Sequence, residues 1–207
     1  VIQINDTHPA LVIPELMRIL IDDAGLGWDE AWDITTHSVA YTNHTVLAEA
    51  LEVWPQQLFE TLLPRVWQIL TEIARRYQEK ITEFYHGDMD KVARMAVIWD
   101  GAVRMANLCI AGGMAVNGVS VLHSDILRKD VFHDQCVMEP DKFKNVTNGV
   151  DHRRWLSQIN PGLDSLLKDT VGEGYLTHAG EMKGLERWAD DKEVLLRLGQ
   201  IKKANKE

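Results

Sequence analysis

The stretch VIQINDTH (residues 1–8) places a short apolar run directly before an Asn-x-Thr cluster, and a helical pattern follows it. The same arrangement recurs in SVAYTNHT (38–45) and FKNVTNGV (143–150). Short apolar runs bounded by polar turns predict parallel β-strands that are buried on both faces. Because ligands of open α/β sheets bind outside the carboxyl ends of such strands, the three clusters are predicted to meet at one polar cleft. The polar side chains at these ends are Asp6, His8, Asn43, His44 and Asn148.

The same clusters have two other interpretations. Asn, Asp and Thr favour turns and helix N-caps, because their side chains bond to nearby backbone N–H groups. Asn5, Asn43 and Asn145 each also begin an Asn-x-Thr glycosylation pattern. Glycosylation requires a secreted protein, and no other feature of the sequence indicates secretion.

The composition excludes several classes of protein. The chain has 207 residues, of which 45% are hydrophobic and 26% are charged, as in an ordinary globular protein. A net charge of −9 argues against binding to nucleic acid or to an anionic membrane, so neither partner is expected. Cys109 and Cys136 form no disulfide framework, which predicts a reducing, cytoplasmic location. Cys109 lies in an apolar stretch and is expected to be an inert core residue.

The pattern along the chain predicts an α/β fold that is rich in helices. A strand is predicted at 39–42 and another short one at 96–99, and Trp155–Leu167 and Glu181–Ala204 are helical patterns with no strand between them. A domain boundary is therefore predicted near 149–151, giving units 1–149 and 150–207. The other helical patterns cover residues 9–25, 28–37, 47–51, 65–84, 102–113 and 119–131. The strand-like start at Val1 and the uncapped charged pattern at the end predict an internal fragment of a longer protein.

Several standard catalytic motifs do not occur in the sequence. The eight histidines form no HExxH or paired Cys/His pattern, so a metal site is not expected. A G-x-S-x-G elbow and a G-x-G-x-x-G fingerprint are also missing. His123-Ser124-Asp125 lies within a helical pattern and is interpreted as a capping or packing feature.

Two sets of residues could carry chemistry. Glu49 and Glu52 share a predicted helix face and could act as an acid/base pair, although paired glutamates on a surface helix are usually only solvated. Asp6 and His44 each lie at a strand end, where the carboxylate could orient the imidazole and fix its tautomer. Arg153-Arg154 could hold a phosphate or form salt bridges, and Trp155 could be a core residue or pack on a planar ring.

At these clusters the chain resembles the α-glucan phosphorylases, the family of glycogen, starch and maltodextrin phosphorylases. The similarity is collinear and covers essentially the whole chain. The matching segments are INDTHPALVIPELMRIL (4–20), AYTNHTVLAEALEVWP (40–55), LLPRVWQILTEI (62–73), MANLCIAGGMAVNGVSVLHSDIL (105–127) and FKNVTNGVDHRRWL (143–156).

The resemblance implies an enzyme with two Rossmann-like lobes of the GT-B type that enclose a cleft. Such enzymes use pyridoxal phosphate and inorganic phosphate to release glucose 1-phosphate from the ends of α-1,4-glucans, and they are typically homodimers. Residues 1–149 would be the second half of the first, sugar-binding lobe. Residues 150–207 would be the helical start of the second, cofactor lobe.

The resemblance also implies roles for individual residues. His44 matches the histidine that contacts the sugar 6-hydroxyl, and Asp6 matches the acid that supports it; both are candidate catalytic residues. Asn148 matches an asparagine that binds the same glucosyl unit, and His8 a neighbour near the acceptor subsites. Glu52 would line the cleft floor, and Trp155 would pack near the cofactor.

The chain departs from the family at two points. Asp151-His152 stands where many relatives have Thr-Pro before Arg153-Arg154-Trp155. The Met-Lys segment that carries the cofactor Schiff base is expected beyond Glu207, so the isolated chain is expected to be inactive. A non-catalytic carbohydrate-binding module and a structural fragment that self-associates through unpaired strand edges are the competing hypotheses.

Overall fold

The computed structural model describes every residue from Val1 to Glu207. The chain divides into two compact units, which we call the first unit (Val1–Asn148) and the second unit (Gly149–Glu207). No helix combines the length and the apolar character that a membrane crossing requires.

The first unit alternates short strands with helices. Its strands are β1 (Ile2–Asn5), β2 (Val39–Thr42), β3 (Val53–Pro55), β4 (Ile98–Trp99), β5 (Ala102–Arg104), β6 (Val116–Gly118) and β7 (Phe143–Asn145). Its helices are α1 (Val12–Arg18), α2 (Trp28–Thr36), α3 (Gln56–Leu62), α4 (Pro64–Phe84), α5 (Met89–Met95), α6 (Met105–Gly112), α7 (Val121–Ile126) and α8 (His133–Met138). Single π-helical turns extend α1 and α7.

The main sheet is parallel throughout, with the strand order β1-β2-β6-β7. Ile2 pairs with Val39, Tyr41 with Val116, and Val116 in turn with Phe143. This confirms the predicted α/β architecture with a parallel sheet flanked by helices.

The expectation that all of these strands are buried on both faces is wrong for the two edge strands. In β1 only Ile4 is buried, whereas Ile2 is 42% exposed. In β7 only Phe143 is buried. An edge strand has a neighbour on one side only, so part of its surface stays open to solvent.

Three of the strands, β3, β5 and β6, lie in regions that the sequence pattern did not identify as strands. β6 has only three residues, one of them Gly118, and therefore shows no alternation of apolar and polar residues. β5 occupies the start of a predicted helix, and α6 begins only at Met105. β5 forms a small antiparallel sheet with β3 and β4, in the order β3-β5-β4.

The core of the first unit lies between the main sheet and helices α1, α4 and α6. The apolar residues of α4 recur at helical spacing and are buried, and Pro64 opens this helix at a position where its missing N–H costs nothing. Every residue of α6 is buried, so this helix is enclosed on all sides. A Cβ atom on Gly112 would lie 2.7 Å from a side-chain carbon of Ile13, which shows how closely α6 approaches α1.

The second unit contains helices and turns only. It comprises a π-helical turn (Arg153–Gln158), α9 (Pro161–Val171), two 3₁₀ segments (Glu173–Leu176 and Ala179–Trp188) and α10 (Lys192–Ala204). Its buried apolar side chains are Leu166, Leu167 and Tyr175.

Candidate functional site

The carboxyl ends of the four parallel strands lie together at one end of the main sheet, which we call its polar edge. This edge runs across all four strands and is distinct from the lateral edge strands β1 and β7. Asp6 follows β1, His44 follows β2, and Asn148 follows β7. These polar residues therefore share one edge, although β6 separates β2 from β7. With a spacing of about 4.8 Å between neighbouring strands, the backbones of β2 and β7 are roughly 10 Å apart.

The turn after β1 is held in an unusual conformation. Asp6 has a left-handed backbone with φ 63°, and its N–H donates to the carbonyl of Thr42 at 2.9 Å. The Asp6 carboxylate accepts the Thr7 N–H at 2.7 Å. A non-glycine residue in this region is uncommon, and Asp tolerates it because its side chain can bond locally.

Glu52 fixes the next two residues of this turn. It accepts a hydrogen bond from the buried hydroxyl of Thr7 and lies 3.2 Å from Nδ1 of His8. His8 itself is 72% exposed at its side chain and so remains open to a ligand. Glu52 also lines an open cavity of about 460 Å³, whose other polar walls include Asn107 and Asp134.

The interpretation of Glu49 and Glu52 as a pair on one helix face is wrong. The segment is only a short 3₁₀ turn, Ala48–Ala50, and Leu51 has an extended backbone with ψ 116°. Glu52 therefore follows the turn and contacts Thr7 and His8, whereas Glu49 is exposed.

The imidazole of His44 bonds to Asn5 and not to Asp6. Its Nε2 lies 2.6 Å from Oδ1 of Asn5, the last residue of β1. The predicted pairing of His44 with the Asp6 carboxylate is thus corrected, because that carboxylate is turned back onto the Thr7 amide. With Nε2–H donating to Asn5, Nδ1 is the ring nitrogen left for a ligand. His44 is exposed.

A buried polar network lies directly behind His44. Asn43 is fully buried; its Nδ2 donates to the Tyr41 hydroxyl at 3.0 Å, and its Oδ1 accepts the Thr45 N–H at 3.0 Å. Its Oδ1 also lies 3.0 Å from Nε2 of His123. Burial raises the pKa of Tyr41, so its hydroxyl stays protonated. Sequence reasoning missed His123, because no local signal links positions that are 80 residues apart.

Asn148 lies in the segment that follows β7. Its backbone N–H donates to the carbonyl of Val119 at 3.1 Å, and two residues earlier the Val146 N–H donates to Gly118 at 3.1 Å. The segment therefore continues along the end of β6. The side chain of Asn148 is exposed.

Trp155 belongs to the second unit. It is 52% exposed, and the guanidinium of Arg154 lies 5.5 Å from its ring centroid. The Asp151 carboxylate accepts the Arg154 N–H at 3.1 Å and so caps the turn that carries Trp155. The Asp-His sequence at 151–152 thus starts this turn.

Two further features bear on the chemistry. No three His, Cys, Asp or Glu side chains are grouped so that they could hold a metal ion. Burial raises the pKa of the Cys109 thiol, as expected for an inert core residue.

Comparison with known proteins shows the family to which the chain belongs. Residues 1–207 match the family model for carbohydrate phosphorylases. The chain is 49% identical to the muscle form of glycogen phosphorylase from Mus musculus, and 48% identical both to the Homo sapiens muscle form and to the Rattus norvegicus brain form. Each alignment covers 99% of this chain and 25% of the relative, so the chain spans about a quarter of the length of these proteins. The chain belongs to the carbohydrate phosphorylase family.

Proposed function

We propose that the chain is part of an α-1,4-glucan phosphorylase, a glycosyltransferase that releases glucose 1-phosphate from the non-reducing ends of its glucan. The first unit would supply half of the sugar-binding lobe of a GT-B enzyme, and the second unit the start of its cofactor lobe. The observation that carries this proposal is the polar edge of the main sheet. There, exposed His44, His8 and Asn148 stand on a buried scaffold in a chain of this family.

This edge suits the recognition of a sugar. Hydroxyl groups need donors and acceptors in a fixed array, and exposed His and Asn side chains supply both. His44 would bind a hydroxyl of the reacting glucosyl unit through Nδ1, since Nε2 is held by Asn5. Asn148 would bind the same unit, and His8 would lie toward the acceptor sugars.

The carboxylates on this edge would favour the reaction electrostatically. Cleavage of a glycosidic bond passes through an oxocarbenium-like transition state that carries positive charge. Asp6 and Glu52 are tied to the same turn, through Thr7, and would place negative charge near that site. Fixed charges and dipoles of this kind need no reorganisation as the reaction proceeds.

Residues of the second unit fit the cofactor that the family implies, pyridoxal phosphate. An exposed indole with a guanidinium over its ring is a suitable surface for a planar, phosphorylated ring. Trp155 would therefore pack near the cofactor, and Arg154 would add positive charge for its phosphate. In this family the bound cofactor supplies a phosphate group that takes part in the reaction with inorganic phosphate.

The first test compares the isolated chain with the full-length protein that would contain it. Both are incubated with maltodextrin, inorganic phosphate and pyridoxal phosphate, and glucose 1-phosphate is assayed. We expect product from the full-length homodimer only, because the chain spans about a quarter of the length of its relatives. Product from the isolated chain, or none from the full-length protein, would contradict the proposal.

A matched pair of variants then tests the site. In the full-length protein, His44→Ala is expected to lower kcat by roughly 100-fold, because the glucosyl unit loses the acceptor Nδ1 that would hold one of its hydroxyls in place. Glu49→Ala, which alters an exposed side chain nearby, is the control and should leave kcat unchanged. If the isolated chain binds maltodextrin in calorimetry and loses that affinity in His44→Ala or Asn148→Ala, a carbohydrate-binding module becomes the better assignment.

A further inference from the structure

The imidazole of His123 lies between the two loops that carry His44 and Asn148. The Val119 N–H donates to Nδ1 of His123 at 3.1 Å, so this nitrogen carries no proton. The proton of the neutral ring must then be on Nε2, which lies 3.0 Å from Oδ1 of Asn43 and donates to it. The surroundings thus fix a single tautomer of this ring.

The bond from His123 is the second hydrogen bond that Oδ1 of the fully buried Asn43 accepts. Asn43 also uses its amide group on Tyr41 and its oxygen on the Thr45 N–H. These bonds fix the residues on both sides of His44. His123 therefore holds the loop 43–45 from behind, on the face away from the exposed imidazole of His44.

The same histidine is linked to the second loop through one residue. Val119 donates its N–H to the His123 ring, and its carbonyl accepts the N–H of Asn148 at 3.1 Å. A single peptide segment therefore connects the His123 ring to the backbone of Asn148. This connection joins the loops 43–45 and 146–148 in addition to the backbone bonds of Asn43 and Val146 to β6.

Helix capping accounts for only part of the bonding of His123. The N-cap of α7 is formed by Ser120, whose hydroxyl accepts the backbone N–H of His123 at 3.1 Å, and the His123 ring accepts the N–H of Val119, the residue before this cap. The bond from Nε2 to Asn43 reaches another loop and is not part of the cap. The interpretation of His123 as a capping or packing feature therefore holds at the start of α7, and the bond to Asn43 adds a contact that the sequence pattern did not indicate.

We propose that His123 is a positioning residue that sets the loops 43–45 and 146–148 in one arrangement around the glucosyl unit. This inference rests on the proposed function of those loops. His123 does not touch the sugar; it acts through Asn43 and Val119. A misplacement of about 1 Å in a reacting group can cost roughly 100-fold in rate, so such a support is catalytically important.

Two variants of the full-length protein separate positioning from general stability. His123→Asn can still accept the Val119 N–H, but its amide is too short to reach Asn43. His123→Gln is long enough to donate its amide N–H to Asn43. We expect His123→Asn to lower kcat roughly 10- to 100-fold, and His123→Gln to restore most of that loss. The control is His37→Asn, which alters an exposed ring at the opposite, amino edge of the sheet.

Hydrogen exchange of the same variants provides a readout that does not depend on activity. We expect His123→Asn, which keeps the Val119 bond, to speed exchange of the Thr45 amide by roughly tenfold or more, while the Asn148 and β2 amides keep their protection. His123→Ala, which removes both ring bonds, is expected to speed exchange at Thr45 and Asn148 alike. Unchanged exchange at Thr45 in His123→Asn would overturn the inference, and so would equal kcat values for His123→Asn and His123→Gln. If the wild-type full-length protein makes no glucose 1-phosphate, the proposed function fails, and exchange alone still decides whether His123 holds the loops.

Discussion

The two units position their candidate site residues by different means. In the first unit, His44 is held by Asn5 and Asn43 by His123, across 39 and 80 positions of sequence. In the second unit, Trp155 sits on a turn that is capped by Asp151, only three positions before Arg154. A large core and a sheet support the first arrangement, whereas the second unit buries few apolar side chains. The site residues of the first unit are thus held by contacts between distant parts of the sequence. Those of the second unit are held by contacts within a few residues.

The largest expected effect tests the difference between the two cores. Leu108→Ala removes a side chain with no exposed surface from the main core, and we expect a loss of about 4 kcal/mol in the free energy of unfolding. Leu166→Ala in the second unit should cost nearer about 2 kcal/mol, because a small core can collapse around the space. Denaturant-dependent hydrogen exchange measures each unit separately. Equal losses would break the comparison, and Leu122→Ala, at a position that is 72% exposed, is the control.

An intermediate effect comes from one substitution made in each unit. A Cβ on Gly118 would lie 2.9 Å from the backbone of Ser124, so Gly118→Ala is expected to cost about 1–3 kcal/mol. Gly199 lies inside α10 with open space around it, and Gly199→Ala is expected to stabilise that helix by up to about 1 kcal/mol. Thermal melts of the two variants should therefore shift in opposite directions. A shift in the same direction would contradict the packing found at β6.

The smallest effect concerns the ion pairs on the surface of α4. Hydrogen bonds from Arg75 and Arg76 lower the pKa of Glu72 to about 2. Because this pKa lies below the usual value of about 4.3, the stabilisation is present above that value and is lost as the pH falls toward 2. Melting temperature measured from pH 5 to pH 2 should fall less in Glu72→Gln than in the wild type. Glu83→Gln on the same helix is the control, and 1 M salt should reduce the difference.

Much of the fold could be predicted from apolar patterns. β1, β2 and β7 were identified because each apolar run ends in a polar turn, and α4 because its apolar residues recur at helical spacing. β6 could not be identified in the same way, since three residues are too few to show a period. Its pairing with β2 is a tertiary contact that no local pattern specifies.

The candidate site was predictable as a set of residues but not as a set of bonds. The clusters at the strand ends contain His44 and Asn148, and the parallel sheet brings both to one edge. Their partners were not predictable, because the shared position at strand ends suggested Asp6 for His44, whereas the His44 ring bonds to Asn5 and Asp6 has a left-handed backbone. The same holds for His123, whose ring bonds to Asn43 across 80 positions of sequence.

The central position of β6 has a consequence for the way the chain folds. Thr42 and Asn117, on adjacent strands, are separated by 75 residues, so joining these strands means closing a long loop before any contact is gained. Helices such as α4 need only nearby residues and can form early. The polar edge that would bind the sugar is therefore expected to form late in folding. A chain that stops before this step would already contain helices but could not bind a ligand.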